Sequence, residues 1–183
     1  IPDDRRAIYC WGDAATKIPT SRGFVTRFPA PVRISAGQMP EDVRIAGVQS
    51  SSFASCALTE DGRVFCFGDA YGPIGVGRQP PSPKPHAEPP VEIAAEAGAP
   101  QRFVALGVGP RYACAASAEG QLYCWGGPTA AMPVAKERSA GQPFLKAVSM
   151  QRGDVPMAAH ITQIALSVNG GCVLADGQAY CWP

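Results

Sequence analysis

The sequence has little charge and no excess of either sign. Sixteen Lys and Arg face fifteen Asp and Glu, for a net charge of +1, and charged residues make up 17% of the chain, below the roughly 25% of an average globular protein. That balance leaves no electrostatic footprint for nucleic acid or for an anionic membrane surface. Leu is scarce, while the two poorest helix formers, Gly and Pro, number 20 and 19, which excludes a helical bundle. No apolar run approaches the ~18 residues of a membrane-spanning helix, so no transmembrane segment is expected. There are only two His, His86 in a Pro-rich stretch and His160 just before a strand-like run, and no nucleophile-elbow motif accompanies them. The Cys do not cluster as C-x-x-C, so zinc is not expected, and no cofactor or catalytic residue is assigned. The first residue is Ile1 and no signal-peptide pattern follows, so the expectation is a processed chain, an excised fragment or part of a longer one.

The seven Cys carry a repeat. Cys10, Cys66, Cys124 and Cys181 each end a short strand-like run, in AIYCWG, RVFCFG, QLYCWG and QAYCWP, at intervals of 56, 58 and 57 residues. A fixed period of this length is the mark of a repeat architecture. Cys56, Cys114 and Cys172 precede their partners by 10, 10 and 9 residues, and each pair frames a hairpin with Asp61-Gly62, Glu119-Gly120 or Asp176-Gly177 at its centre. Such dipeptides suit turns that need φ > 0. A two-residue turn at Asp176-Gly177 sets Cys172 opposite Cys181. Three-residue turns ending at Gly62 and Gly120 set Cys56 opposite Cys66 and Cys114 opposite Cys124. Turn length and Cys spacing change together and keep the Cys opposed. Three hairpin disulfides are therefore expected, with buried thiols as the alternative, and Cys10 is unpaired unless upstream sequence supplies a partner. Twisted, non-hydrogen-bonded positions bring the two Cβ atoms close enough.

A further strand signal precedes each hairpin, at 42–48, 102–108 and 161–168, and a shorter outer strand is expected near the Pro-Val pairs at 30–34, 89–93 and 132–136. Each unit of about 57 residues then holds three or four antiparallel strands, and small sheets repeated in this way form propellers. The fold class is all-β: antiparallel propeller-type blades, about three units, an incomplete propeller or arc. On this period the single repeat domain 1–183 divides into the end of a partial first unit at 1–12 and full units at 13–68, 69–126 and 127–183. The aromatics that follow the period, Trp11, Phe67, Trp125 and Trp182, suit packing between blades better than a ligand cage.

In the second unit, residues 55–77 read SCALTEDGRVFCFGDAYGPIGVG, with Gly68, Gly72, Gly75 and Gly77 spaced after the aromatic strand end. The Gly series lacks the Gly-Lys-Ser/Thr of a phosphate loop and serves as a structural turn. This segment resembles the signature of the regulator of chromosome condensation repeat family, whose fold is a seven-bladed β-propeller. The paired Cys resemble bacterial and extracellular variants of that family. Seven such units need more than twice this length, so the resemblance implies an arc with open ends.

The resemblance and the thin catalytic inventory together imply a non-catalytic interaction or scaffold subunit. It would belong to a larger periplasmic or extracellular assembly, and bind protein rather than nucleic acid through propeller loops. The alternative is a regulatory propeller acting as an enzyme inhibitor or as a nucleotide exchange factor for a small GTPase. Residues 78–90 hold six Pro in thirteen positions, a stretch that favours polyproline II and cannot join a sheet ladder. The expected partner contacts are Pro80, Pro81, Pro83, Pro85 and His86 in this stretch, with Tyr9, Trp11 and Trp182 on the terminal strands.

Overall fold

Each Asp-Gly or Glu-Gly dipeptide turns a hairpin in the structure, a computed structural model that describes residues 7–20, 23–52, 54–69, 87–94, 102–127, 144–149, 153–157 and 159–182. Gly62 and Gly120 sit at φ 88° and 76°, and Asp176-Gly177 at φ 48° and 79°. The first two close three-residue turns and the last is a two-residue turn with φ > 0 at both positions, which matches the right-handed twist of the strands it joins. The flanking registers are Cys56 opposite Cys66, Cys114 opposite Cys124 and Cys172 opposite Cys181.

The described residues form thirteen strands in four antiparallel sheets, and no helix. The first sheet pairs β1 (Tyr9–Thr20) with β2 (Gly23–Arg33). The second runs in order through β3 (Ile45–Ser50), β4 (Ala54–Thr59), β5 (Val64–Asp69) and β6 (Ala87–Glu92). The third is β7 (Phe103–Val108), β8 (Tyr112–Ser117), β9 (Leu122–Gly126) and β10 (Phe144–Ser149). The fourth is β11 (Ile161–Leu166), β12 (Gly171–Ala175) and β13 (Gln178–Trp182). The expected outer strands at 30–34 and 89–93 fall on β2 and β6. In the third sheet the outer strand is β10, which the Pro-Val criterion missed, and the 132–136 segment lies outside the described residues.

The sheets stack face to face in chain order, and the central strands β4, β5, β8 and β9 are buried on both faces. Side chains alternate between them. In β4 and β5, Cys56, Leu58, Val64 and Cys66 join a core shared with the third sheet, while Ala57, Phe65 and Phe67 join a core shared with the first. In β8 and β9, Tyr112, Cys114, Leu122 and Cys124 pack toward the fourth sheet, and Ala113, Ala115, Tyr123 and Trp125 toward the second. This near-continuous apolar pattern replaces the apolar-polar alternation of a half-exposed sheet. Backbone bonds stitch neighbours together. The Phe103 N–H donates to the Gly62 carbonyl at 2.8 Å, and the Gln38 N–H to the Pro90 carbonyl at 2.7 Å. Over the described residues the architecture is the expected one of consecutive antiparallel blades, consistent with an incomplete propeller.

Candidate interaction surface

All six hairpin Cys are disulfide-bonded, as Cys56–Cys66, Cys114–Cys124 and Cys172–Cys181, with Cα atoms 4.0, 4.1 and 4.1 Å apart. The Thr59 N–H donates to the Arg63 carbonyl and the Ser117 N–H to the Gln121 carbonyl, each at 2.9 Å. Counting inward by alternation places both Cys pairs at non-hydrogen-bonded positions, where opposite side chains are closest. Cys10 is the free seventh Cys, half-buried, and burial pushes its thiol pKa up.

The turn at Asp61 is held by its own charge. The Thr59 hydroxyl donates to the Asp61 carboxylate and accepts from the Arg63 N–H at 2.9 Å. Arg63 Nη2 lies 2.8 Å from Asp61 Oδ2. Burial pushes the Asp61 carboxyl up, but the hydrogen bonds from Thr59 and Arg63 and the Arg63 charge outweigh it and hold the pKa below the ordinary value.

The alternation of faces gives the arc two unlike ends. In the blade strands that end in Cys-aromatic, the Cys faces the following sheet and the aromatic the preceding one. Phe67 and Trp125 are accordingly 1% and 0% exposed. Trp11 occupies the same position in β1, with no described sheet before it, and is 72% exposed; Tyr9, on the same face, is 53% exposed. At the other end Cys172 is half-buried and Cys181 exposed, where Cys56, Cys66, Cys114 and Cys124 are fully buried. Exposed Gln163, Ala165 and Ala179 and half-buried Leu174 share that outer face.

Trp182 is not on an open face. It packs with Tyr180 into the core between the third and fourth sheets, its indole over Gly171. The Trp182 indole N–H lies near the buried Tyr112 hydroxyl, but the two fall short of a full hydrogen bond. Burial raises the Tyr112 pKa, and the indole N–H offsets part of that rise. Pro80, Pro81, Pro83, Pro85 and His86, with Gly72, Gly75 and Gly77, lie outside the described residues, whereas Gly68 ends β5 at φ 123°.

One feature was not read from the sequence. A pocket of ≈ 460 Å³ lies beside the core between the third and fourth sheets, lined by Ile161, Val173 and Ala179–Trp182 of the fourth sheet, by Leu122 of the third and by Gly153, Asp154 and Val155. The signal lay in 153–157, which reads as a plain loop. Among the described residues no group of three or more His, Cys, Asp or Glu could hold a metal ion, and no helix is long and apolar enough to cross a membrane.

The regulator of chromosome condensation (RCC1) repeat matches residues 45–71, the β3–β5 hairpins and the start of the Gly-rich element. No curated protein matches the sequence. Among solved structures, human WBSCR16 is similar with a TM-score of 0.71 and 19% identity, over 98% of this chain and 43% of that one. Prp20p from Saccharomyces cerevisiae, described with its binding to Gsp1p and histones, is similar with a TM-score of 0.62 and 16% identity, over 96% and 39%. The same yeast protein bound to Kap60 gives 0.63 and 18% over the same shares. The chain spans less than half the length of these neighbours, and at such identities they show the fold. The resemblance read from the repeat agrees with the match over residues 45–71, and the described sheets share the fold of these neighbours.

Proposed function

We propose that this run of RCC1-type blades is a non-catalytic protein-binding module of a larger assembly in an oxidising, periplasmic or extracellular compartment. The observation that carries the reading is the exposure of Trp11 and Tyr9 at a repeat position whose other aromatics, Phe67 and Trp125, are buried between sheets. Exposed aromatics on an otherwise weakly charged surface are what protein interfaces select. Burying Trp11 as Trp125 is buried contributes roughly 2–3 kcal/mol. Three hairpin disulfides support the compartment, since reducing compartments keep thiols reduced. Prp20p binds proteins with the same fold, which is in keeping with a protein ligand here. Residues 78–90, stiffened by Pro, are proposed as a second contact because a stiff segment loses little entropy on docking.

The test is native mass spectrometry of the complex recovered from the protein's source, with and without reductant. A copurifying protein is expected, and Trp11→Ala or a Gly/Ser replacement of 78–90 should weaken its retention. Unchanged retention in both variants would overturn the reading, as would six free hairpin thiols for the compartment.

A further inference from the structure

The first two strands of the second, third and fourth sheets meet in the same four-residue turn. The Ser51 N–H donates to the Ala54 carbonyl at 2.8 Å, the Gly109 N–H to the Tyr112 carbonyl at 2.9 Å and the Ser167 N–H to the Gly170 carbonyl at 2.8 Å. The third residue of the turn is exposed at Arg111 and at Asn169. Arg111 is exposed although its sheet packs on a neighbour at each face, so the exposure of Asn169 comes from the turn itself. Asn169 is followed by Gly170 and Gly171. Asn before Gly readily loses its side-chain amide in an unconstrained chain, because Gly places no side chain beside the backbone nitrogen that attacks.

We infer that Asn169 is a self-modifying site, deamidated through Gly170, and that the Ser167 hydroxyl sets its rate in the folded protein. The site is independent of the protein-binding reading. The Gly170 nitrogen gives up its proton and attacks Asn169 Cγ. The N–Cγ bond forms, the Cγ–Nδ2 bond breaks, and ammonia leaves with the proton. Water then opens the succinimide ring, at Cγ to give Asp or at the backbone carbonyl of residue 169 to give isoaspartate. Water is the only co-reactant, and no electron is transferred.

The folded turn holds the attacking nitrogen. The Ser167 hydroxyl accepts from the Gly170 N–H at 3.1 Å and from the Asn169 N–H at 3.3 Å, and donates to the Gly170 carbonyl at 3.0 Å. An N–H engaged in this way is harder to ionise, and its direction is fixed on Oγ. Ser51 makes the equivalent bonds, donating to the Ala54 carbonyl at 3.1 Å and accepting from the Ala54 N–H at 3.4 Å, but no Asn precedes Ala54. The reaction therefore waits on opening of the β11–β12 turn. Its products change that turn. Isoaspartate routes the chain through Cβ and Cγ and adds a backbone atom inside a ring closed by a 2.8 Å bond. Either product adds a carboxylate where residues 167–171 carry no charge.

The test incubates the full 183-residue chain at mildly alkaline pH and resolves Asn, Asp and isoaspartate at position 169 by peptide mapping. Slow conversion is expected in the native chain and faster conversion in urea. Ser167→Ala should speed native conversion roughly two- to tenfold, the worth of one hydrogen bond, and Ser167→Thr should restore the parent rate. Ser51→Ala loosens the equivalent turn of the second sheet and should leave the rate at Asn169 unchanged. Gly170→Ala should slow conversion sharply even in urea. Equal rates in the parent and Ser167→Ala, or in the native and unfolded parent, overturn the inference. Acceleration by Ser51→Ala also overturns it, by assigning the rate to general loosening, and Asn169 left intact in urea removes the site itself. Hydrogen exchange of the parent in low urea gives a reading without substitution. Conversion should rise in step with opening at the Gly170 amide, and a rate that does not follow that opening overturns the role of the turn.

Discussion

Gly171 has no side chain because the Trp182 ring occupies the space: a Cβ there would lie 2.5 Å from Trp182 Cζ2 and 2.7 Å from Leu166 Cδ2. Gly171→Ala should therefore cost about 1–3 kcal/mol of stability through overpacking, read as a lower urea midpoint with an unchanged slope. Asp61 acts by charge instead. Its pKa is lower folded than unfolded, so its stabilisation is complete above the unfolded value of about 3.9 and is lost as pH falls through the folded one. Asp61→Asn should lower the melting temperature slightly at pH 6 and remove part of the loss seen below about pH 4. The effect is small because the carboxylate is half exposed to solvent, which screens the pair.

At the scale of the hairpin, the three disulfides close loops of nearly equal size, with sequence separations of 10, 10 and 9, and differ in setting. In the chain-entropy account each contributes roughly 2.5–3 kcal/mol. Cys56–Cys66 and Cys114–Cys124 are fully buried between sheets, whereas Cys172–Cys181 lies on an outer face. Limited reductant on the native chain, followed by alkylation and peptide mapping, should label Cys172 and Cys181 first. Labelling of all six at one rate would mean that reduction requires global opening. Replacing Cys114 and Cys124 together by Ala should cost more than the same change at Cys172 and Cys181, because it also opens a cavity in the core.

At the scale of the molecule, the repeat makes equivalent positions unequal. Trp125→Ala should cost roughly 3–5 kcal/mol by emptying the core between the second and third sheets, while Trp11→Ala should stay within about 0.5 kcal/mol. Urea unfolding of the two variants reads the difference directly. A matching cost at Trp11 would mean that a further element covers it. Exposed Trp11 and Tyr9 on the end face of the first sheet are apolar surface of the kind that invites association, and it is there that the functional reading lies.

The strand pairing was legible in the chain because it is written in short-range terms. The Asp-Gly spacing sets the turn, the turn sets the register, and the register sets which Cys meet. The 56–58-residue period likewise announces stacked sheets. Phe144–Ser149 was not legible as the outer strand of the third sheet. Its pairing with β9 is settled across a long connection, and nothing local distinguishes it from the Pro-Val segment at 132–136. Nor could the sequence rank Trp11, Phe67, Trp125 and Trp182, which share one repeat position. Which of them is buried depends on whether another sheet lies beside each, and the repeat itself is silent on that. The same holds for the disulfides: Cys172 and Cys181 match the other hairpin Cys in sequence, and only the assembled sheets leave that pair on an outer face. Local turn chemistry fixes hairpins, whereas burial is a property of neighbours that the chain brings together only when folded.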